Sequence, residues 1–218
     1  MKYKCLLMDM DGLLVDSERI TFDMWKVIFE RHGYELDLDG YCMMVGKTEQ
    51  TVTQVLAEHY PGMSLREDIW PEWDGQYEEI APAGGVPLKD GALELLDWAD
   101  SHGLSKAIVS SNLKHWVDTI LKGDRVHHRF DLLLHGGMAE HGKPAPDLFL
   151  LAADTLGFAP EECLVLEDSD AGIESGHNAG MDVICIPDLR HPSDEVAGYC
   201  KRIFGSLRDV IPFLEQDL

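Results

Sequence analysis

The sequence is short of positive charge. Its 218 residues hold 18 Lys and Arg against 40 Asp and Glu, a formal charge of −22. So acidic a surface repels phosphate backbones and anionic bilayers, which argues against nucleic acid and membrane surfaces as partners. A small anionic substrate is compatible with it only where local cations reverse the field at the site. The same charge makes a monomer the expected state. Long apolar runs are also missing. The stretch Cys5-Leu6-Leu7-Met8 meets an acid at Asp9, too soon for a signal-peptide core, and no run approaches the ~20 residues that a membrane helix needs. The five cysteines include no C-x-x-C pair, which predicts neither a disulfide framework nor a thiolate zinc site. Cys5, Cys163 and Cys185 sit in apolar runs and read as reduced core thiols of a cytoplasmic protein. There is no H-E-x-x-H, and His127 and His128 are adjacent, so the histidines predict no metal site.

What is present is an ordinary globular composition, 45% hydrophobic, on a chain long enough for one domain or a core plus an insert. A buried strand is predicted over Lys4 to Met8. Ile20, Met24, Val27 and Ile28 share one face of a helix over Ser17 to Arg31, stopped by Gly33. A second helix follows Thr48, with Val52, Val55, Leu56 and His59 on one face, and a third is predicted over Leu65 to Ile80. Pro82 to Pro87 reads as a linker. After it the pattern changes. Asp90 is positioned to cap a helix carrying Ala92, Leu95, Leu96 and Ala99. Then come a strand at Ala107 to Val109, a helix at Lys114 to Lys122 and a strand at Phe130 to Leu134. A helix after Pro146 ends at Gly157. A strand at Cys163 to Leu166, a helix opened by Ser169, a strand at Val183 to Ile186 and a helix over Ser206 to Glu215 complete the chain.

Short apolar strands alternating with helices predict an α/β fold: a Rossmann-like parallel sheet with helices on both faces. The helical block interrupts this alternation after the first strand. The expected organisation is therefore a core of residues 1–15 and 87–218 and an inserted all-helical cap domain of residues 16–86. In such sheets ligands bind beyond the C-terminal ends of the strands.

Four strand ends carry chemistry. The first is followed by Asp9-Met10-Asp11-Gly12. Extended backbone puts residues i and i+2 on one side, so Asp9 and Asp11 converge and repel unless a cation sits between them or one is protonated. A hard divalent ion suits such oxygen ligands. The second is followed by Ser110-Ser111-Asn112, which reads as simple helix capping or as an anion cradle at a helix N-terminus. The third leads to Gly142-Lys143-Pro144, a lysine directed by its neighbours and able to neutralise a phosphate oxygen. The fourth ends in Glu167-Asp168-Ser169, a second acid pair, whose Asp168 doubles as a candidate helix cap.

In this order the motifs resemble the haloacid dehalogenase superfamily, in its branch with a helical cap. Asp9-Met10-Asp11-Gly12-Leu13-Leu14-Val15-Asp16 is similar to the first motif, Ile108 to Asn112 to the second, Gly142 to Asp147 to the third, and Leu164 to Gly172 to the fourth. The group containing β-phosphoglucomutase and sugar-phosphate phosphatases is the nearest in pattern. The resemblance implies phosphoryl transfer, because Asp11 supplies the second acid that dehalogenases lack. It implies Asp9 as nucleophile and Asp11 as general acid and base. Mg²⁺ is implied on Asp9, Asp168 and the Asp11 carbonyl, with Glu167 as a ligand or a partner behind the ligands. Lys143 is implied to stabilise charge, and Ser110, Ser111 and Asn112 to hold phosphoryl oxygens. The cap loop Val45 to Glu49 would face the site, with Lys47 toward an anionic substrate.

The implied substrate is a small phosphorylated metabolite. β-Phosphoglucomutases carry a His and an Arg where this chain has Thr21 and Glu49, which favours a phosphatase over a mutase. A third reading, a phosphorylated receiver module, shares the clustered acids, Ser/Thr and Lys. It is disfavoured by the insert and by the Asp9-x-Asp11 spacing.

Overall fold

A computed structural model describes residues 2–45, 49–63, 69, 72, 86–124 and 126–216. Its centre is a six-stranded sheet of β1 (Cys5–Met8), β2 (Ser105–Val109), β3 (Leu132–Leu134), β4 (Cys163–Glu167), β5 (Asp182–Cys185) and β6 (Arg202–Ile203). The strands are all parallel, in the order β3-β2-β1-β4-β5-β6. This is the Rossmann-like architecture expected. Pairing registers Met8 with Ile108 on one side and Leu166 on the other, so the ends of the three central strands lie level.

The strands are apolar on both faces because both are covered. Leu6, Met8, Ile108, Leu164, Leu166 and Ile184 face one layer of helices. That layer is α4 (Ala92–Ser101), α5 (Lys114–Asp124) and α9 (Val210–Glu215), which contribute Leu95, Val117 and Leu214. The alternate residues Cys5, Leu7, Ala107, Val109, Val165 and Val183 face the other layer. That layer is α6 (Asp147–Leu156), α7 (Asp170–Asn178) and α8 (Asp194–Ala197), which bring Phe149, Ile173 and Val196. All five cysteines are unpaired, and four are buried.

Between β1 and α4 come α1 (Ser17–Arg31), α2 (Leu38–Cys42) and α3 (Glu49–His59). Their apolar faces meet in a separate cluster of Trp25, Ile28, Phe29, Leu36, Tyr41, Met44, Val52 and Leu56. Leu189, from the loop after β5, packs against it. The chain enters and leaves this block side by side. Asp16 N–H donates to Pro87 C=O at 2.8 Å, Lys89 N–H to Leu14 C=O at 2.9 Å, and Val15 and Leu88 form an antiparallel bridge.

Local differences from expectation have physical causes. α4 is preceded at its N-cap by Gly91, not Asp90; the Asp90 side chain accepts from Ser206 Oγ and Arg208 instead. α2 and the two-residue edge strand β6 are too short to show a period in the sequence. The helix predicted over 65–80 lies outside the described residues, apart from Ile69 and Glu72. Of the linker, only Val86 and Pro87 are described. Lys47 also lies outside them.

Candidate active site

The level strand ends bring the expected residues into one cavity of 560 Å³, lined by Asp9, Asp11, Ser110, Ser111, Asn112, Lys143 and Asp168. Asp9 leaves β1 with its N–H on Leu166 C=O at 3.0 Å, and its residue is only 9% exposed. Lys143 reaches in from the loop before α6 and is held three ways. Its Nζ donates to Asp9 Oδ1 at 2.6 Å, Glu167 Oε1 at 2.6 Å and Val109 C=O at 2.7 Å. Asp9 Oδ2 accepts nothing from the described residues.

Asp11 is fixed differently. Ser17 Oγ donates to its Oδ1 and Asn112 Nδ2 to its Oδ2, both at 2.7 Å. Both oxygens therefore have neutral donors. Ser110, nearly inaccessible to solvent, turns the loop by accepting Asn112 N–H on Oγ at 3.1 Å. The bond lies within the loop, two residues short of the helix that begins at Lys114. Ser111 is exposed on the cavity wall.

Glu167 is wholly buried. Besides Lys143, its carboxylate receives the N–H groups of Asp168 and Ser169 and the Ser169 hydroxyl, at 3.0 to 3.2 Å. Gly172 makes room for it: a Cβ there would lie 1.8 Å from Glu167 Oε1. Ser169, not Asp168, caps α7, accepting Gly172 N–H. Asp168 is thereby free to face the cavity.

The electrostatics are those of excess negative charge in a dry place. Burial pushes Asp9 up to about 8, reinforced by Glu167 and Asp11, against the lowering pull of Lys143. Burial also raises Asp11, opposed by Ser17 and Asn112. Asp168 is raised well above the carboxylate range by burial, then by Glu167 and Asp9. The Lys143 ammonium faces Asp9 and Glu167, and its own proton is held more tightly for it, despite burial.

A divalent cation fits this arrangement. Asp9 and Asp168 are mutually repelling carboxylates. Gly12 keeps the gap beside Asp168 open, since a Cβ at its φ of +76° would come within 2.4 Å of Asp168 Oδ2. Among the described residues no three His, Cys, Asp or Glu side chains converge to hold a metal. The Asp11 and Glu167 carboxylates are occupied by other donors.

Three site residues were not foreseen in the sequence. Glu18, in the first turn of α1, lines the cavity and accepts the Tyr41 hydroxyl at 2.6 Å; burial raises it to about 7. The third is Asp188, which lines the neighbouring pocket shared with Glu18 and Asp168 and whose inaccessible carboxylate is ion-paired to Lys89. It follows the fifth strand, so the strand-end rule that found Asp9 and Asp168 reaches it as well. Glu18 and Tyr41 lie in the inserted helices, where no such rule applies.

Comparison with known proteins agrees with this geometry. A family model described as haloacid dehalogenase-like hydrolase matches residues 6–186. A Drosophila melanogaster protein named "Probable pseudouridine-5'-phosphatase" is 32% identical over 216 residues, covering 94% of this chain and 90% of that protein. Hexitol phosphatase A of Escherichia coli is 31% identical over 193 residues, 85% of this chain and 84% of its own length. A crystal structure of a HAD family hydrolase from Deinococcus radiodurans, with bound phosphate and sodium, superposes with a TM-score of 0.84. It is 26% identical and covers 99% of this chain and 96% of that one. With the motif residues gathered at one sheet edge and a match spanning most of its length, this chain belongs to the haloacid dehalogenase-like hydrolase family.

Proposed function

We propose that this enzyme is a Mg²⁺-dependent phosphatase that hydrolyses a small phosphomonoester, a sugar phosphate or similar metabolite, through an aspartyl-phosphate. The observation that carries the reading is the division of labour between two carboxylates two residues apart. Asp9 has one oxygen on Lys143 and the other open to the cavity. Asp11 is steered by two neutral donors. The names of the relatives, phosphatases of pseudouridine 5'-phosphate and of hexitol phosphates, support the same class.

In this mechanism Asp9 Oδ2 attacks phosphorus, and the bond to the leaving oxygen breaks. Asp11 gives that oxygen its proton. Asp11 then takes a proton from water as the water attacks phosphorus, and the Asp9 carboxylate returns with release of phosphate. A raised pKa, the direction found for Asp11, suits a group that must both give and take a proton near neutrality. Lys143 spreads the charge on Asp9 and the phosphoryl oxygens. Ser110, Ser111 and Asn112 hold the remaining oxygens. Mg²⁺, held by Asp9, Asp168 and the Asp11 carbonyl, supplies the charge that lets an anionic carboxylate approach an anionic phosphate. Glu167 fits best as the group that positions Lys143 rather than as a ligand, since its oxygens already have donors. Residues 16–86 act as the cap that closes on the site and excludes water from the first step. Lys47 is assigned to substrate contact on sequence grounds alone.

Thr21 lines the cavity where β-phosphoglucomutases carry a His, which supports hydrolysis over isomerisation. The test is phosphate release. Hydrolysis of p-nitrophenyl phosphate with Mg²⁺, its loss with EDTA, and free phosphate from glucose 1-phosphate are expected. Accumulation of glucose 6-phosphate, dependent on a bisphosphate primer, would overturn the phosphatase reading in favour of a mutase.

A further inference from the structure

We infer that Asp188 positions the cation: its unbonded carboxylate oxygen, Oδ2, accepts a hydrogen bond from a water on the Mg²⁺ that Asp168 holds. This rests on the Mg²⁺-dependent reading and extends it to a residue outside the four motifs.

Asp188 lies in the loop after β5, and its side chain is only 2% exposed. Oδ1 is bound by Lys89 Nζ, which also stands 3.6 Å from Asp16 Oδ1. Oδ2 is closed to solvent and has no hydrogen-bond partner among the described residues. A buried carboxylate oxygen in that state costs free energy until a donor reaches it. Arg190 and His191 border the same pocket from its exposed rim, yet neither bonds Asp188 among the described residues.

The surroundings of Oδ2 say where that donor comes from. Asp188 and Asp168 line one pocket, and Gly12 marks where they meet. A Cβ there would lie 2.4 Å from Asp168 Oδ2 and 3.2 Å from Asp188 Oδ2. Two like charges so placed repel unless a cation or its donors lie between them. A direct bond from Asp188 to the metal is not what the geometry offers. Among the described residues no three such side chains converge on one ion, and Oδ1 is already taken by Lys89. Mg²⁺ keeps several of its waters, and waters polarised by the ion donate strongly to a carboxylate. Asp188 is thus a positioning residue that orients a water on the cation, and Lys89 orients Asp188.

The test is Mg²⁺ affinity, read by calorimetry on the substrate-free protein and so independent of turnover. Asp188→Asn keeps the shape, but with its oxygen on Lys89 it turns an NH₂ group toward Asp168. Its Kd for Mg²⁺ should rise about tenfold to a hundredfold, the range for partners of metal ligands, and kcat should return toward wild type at saturating Mg²⁺. Asp170→Asn is the control. It removes the same charge from the same pocket, but the Asp170 carboxylate is turned to Ser193 N–H at 3.2 Å, so its Kd should stay near that of wild type. Melting in EDTA shows that each variant is folded, and Asp188→Ser replaces the amide variant if that one is not. An unchanged Kd in the Asp188 variant overturns the inference, and the Mg²⁺-dependent reading then stands. An equal loss in Asp170→Asn overturns it too, because the field of the pocket alone would then account for the effect. Wild-type protein that binds no Mg²⁺ overturns both readings.

Discussion

Lys143 Nζ and Glu167 Oε1 lie 2.6 Å apart, and their side chains are 4% and 0% exposed. A pair so far from water is bound by what each would lose alone. Glu167 in turn fixes the Asp168–Ser169 loop through its second oxygen. The ammonium that touches Asp9 is thereby tied to the loop that carries Asp168.

Lys143→Met should therefore destabilise the protein by about 3–5 kcal/mol, because it leaves buried carboxylates without a counter-charge. Adding Glu167→Gln should recover part of that loss. Urea denaturation of the two single variants and the double variant measures the coupling; additive effects would contradict it.

The excess of buried acid predicts an unusual pH dependence for the metal-free protein. Burial lifts Asp9 from the ordinary carboxylate range to about 8 in the fold, and Glu18 to about 7; Asp11 and Asp168 move the same way. Between pH ~4 and ~8 the folded state thus holds protons that the unfolded state has released, so stability falls as pH rises through that window. Thermal melts in EDTA should show a lower Tm at pH 8 than at pH 6. Mg²⁺ should raise Tm more at pH 8, where the carboxylates it binds have lost their protons.

Asp9→Asn removes the nucleophile and one of the repelling charges together. Turnover is expected to fall at least about a thousandfold, while the metal-free variant melts no lower than wild type at pH 8. Activity within tenfold of wild type would exclude Asp9 as the attacking group.

Ser17→Ala and Asn112→Ala each take from Asp11 a bond that favours its ionised form. Each should raise the Asp11 pKa further. The acidic limb of the kcat–pH profile, where Asp11 must be ionised to accept the proton of water, should move to higher pH. A profile that loses height without moving would point to positioning alone.

Gly172→Ala drives a methyl group into the Glu167 carboxylate, which has no room to yield while Lys143 and Ser169 hold it. Overpacking of this kind costs about 1–3 kcal/mol, and here it disturbs the Lys143 pocket. A lowered Tm with a lowered kcat is expected.

The sheet and its site were largely legible in the sequence because both depend on local signals. Apolar runs such as Cys163 to Leu166 are buried on both faces, and their ends announce themselves where Asp9, Ser110 and Glu167 interrupt them. The α1 boundaries, Ser17 and Arg31, followed from the spacing of Ile20, Met24 and Ile28. What escaped depended on three-dimensional approach. Asp90 is a good capping residue, but the placement of Arg208 and Ser206 drew it away. Glu18 lines the cavity from the first turn of α1, and α2 sets the Tyr41 hydroxyl against it; no spacing within α1 records that contact. For Glu167 the sequence leaves open a ligand or a partner behind the ligands; in the fold it turns inward to Lys143 while Asp168 faces the cavity.

The paired crossings at Leu14 to Asp16 and Pro87 to Lys89 have a consequence for how such a protein diversifies. The two cut points are already hydrogen-bonded neighbours, so the intervening stretch can be excised or replaced by a foreign one with no break in the framework on either side. A chimera joined at those positions would keep its reaction chemistry only if the incoming stretch opens with a hydroxyl that replaces Ser17 on Asp11, and would inherit its selectivity from the donor.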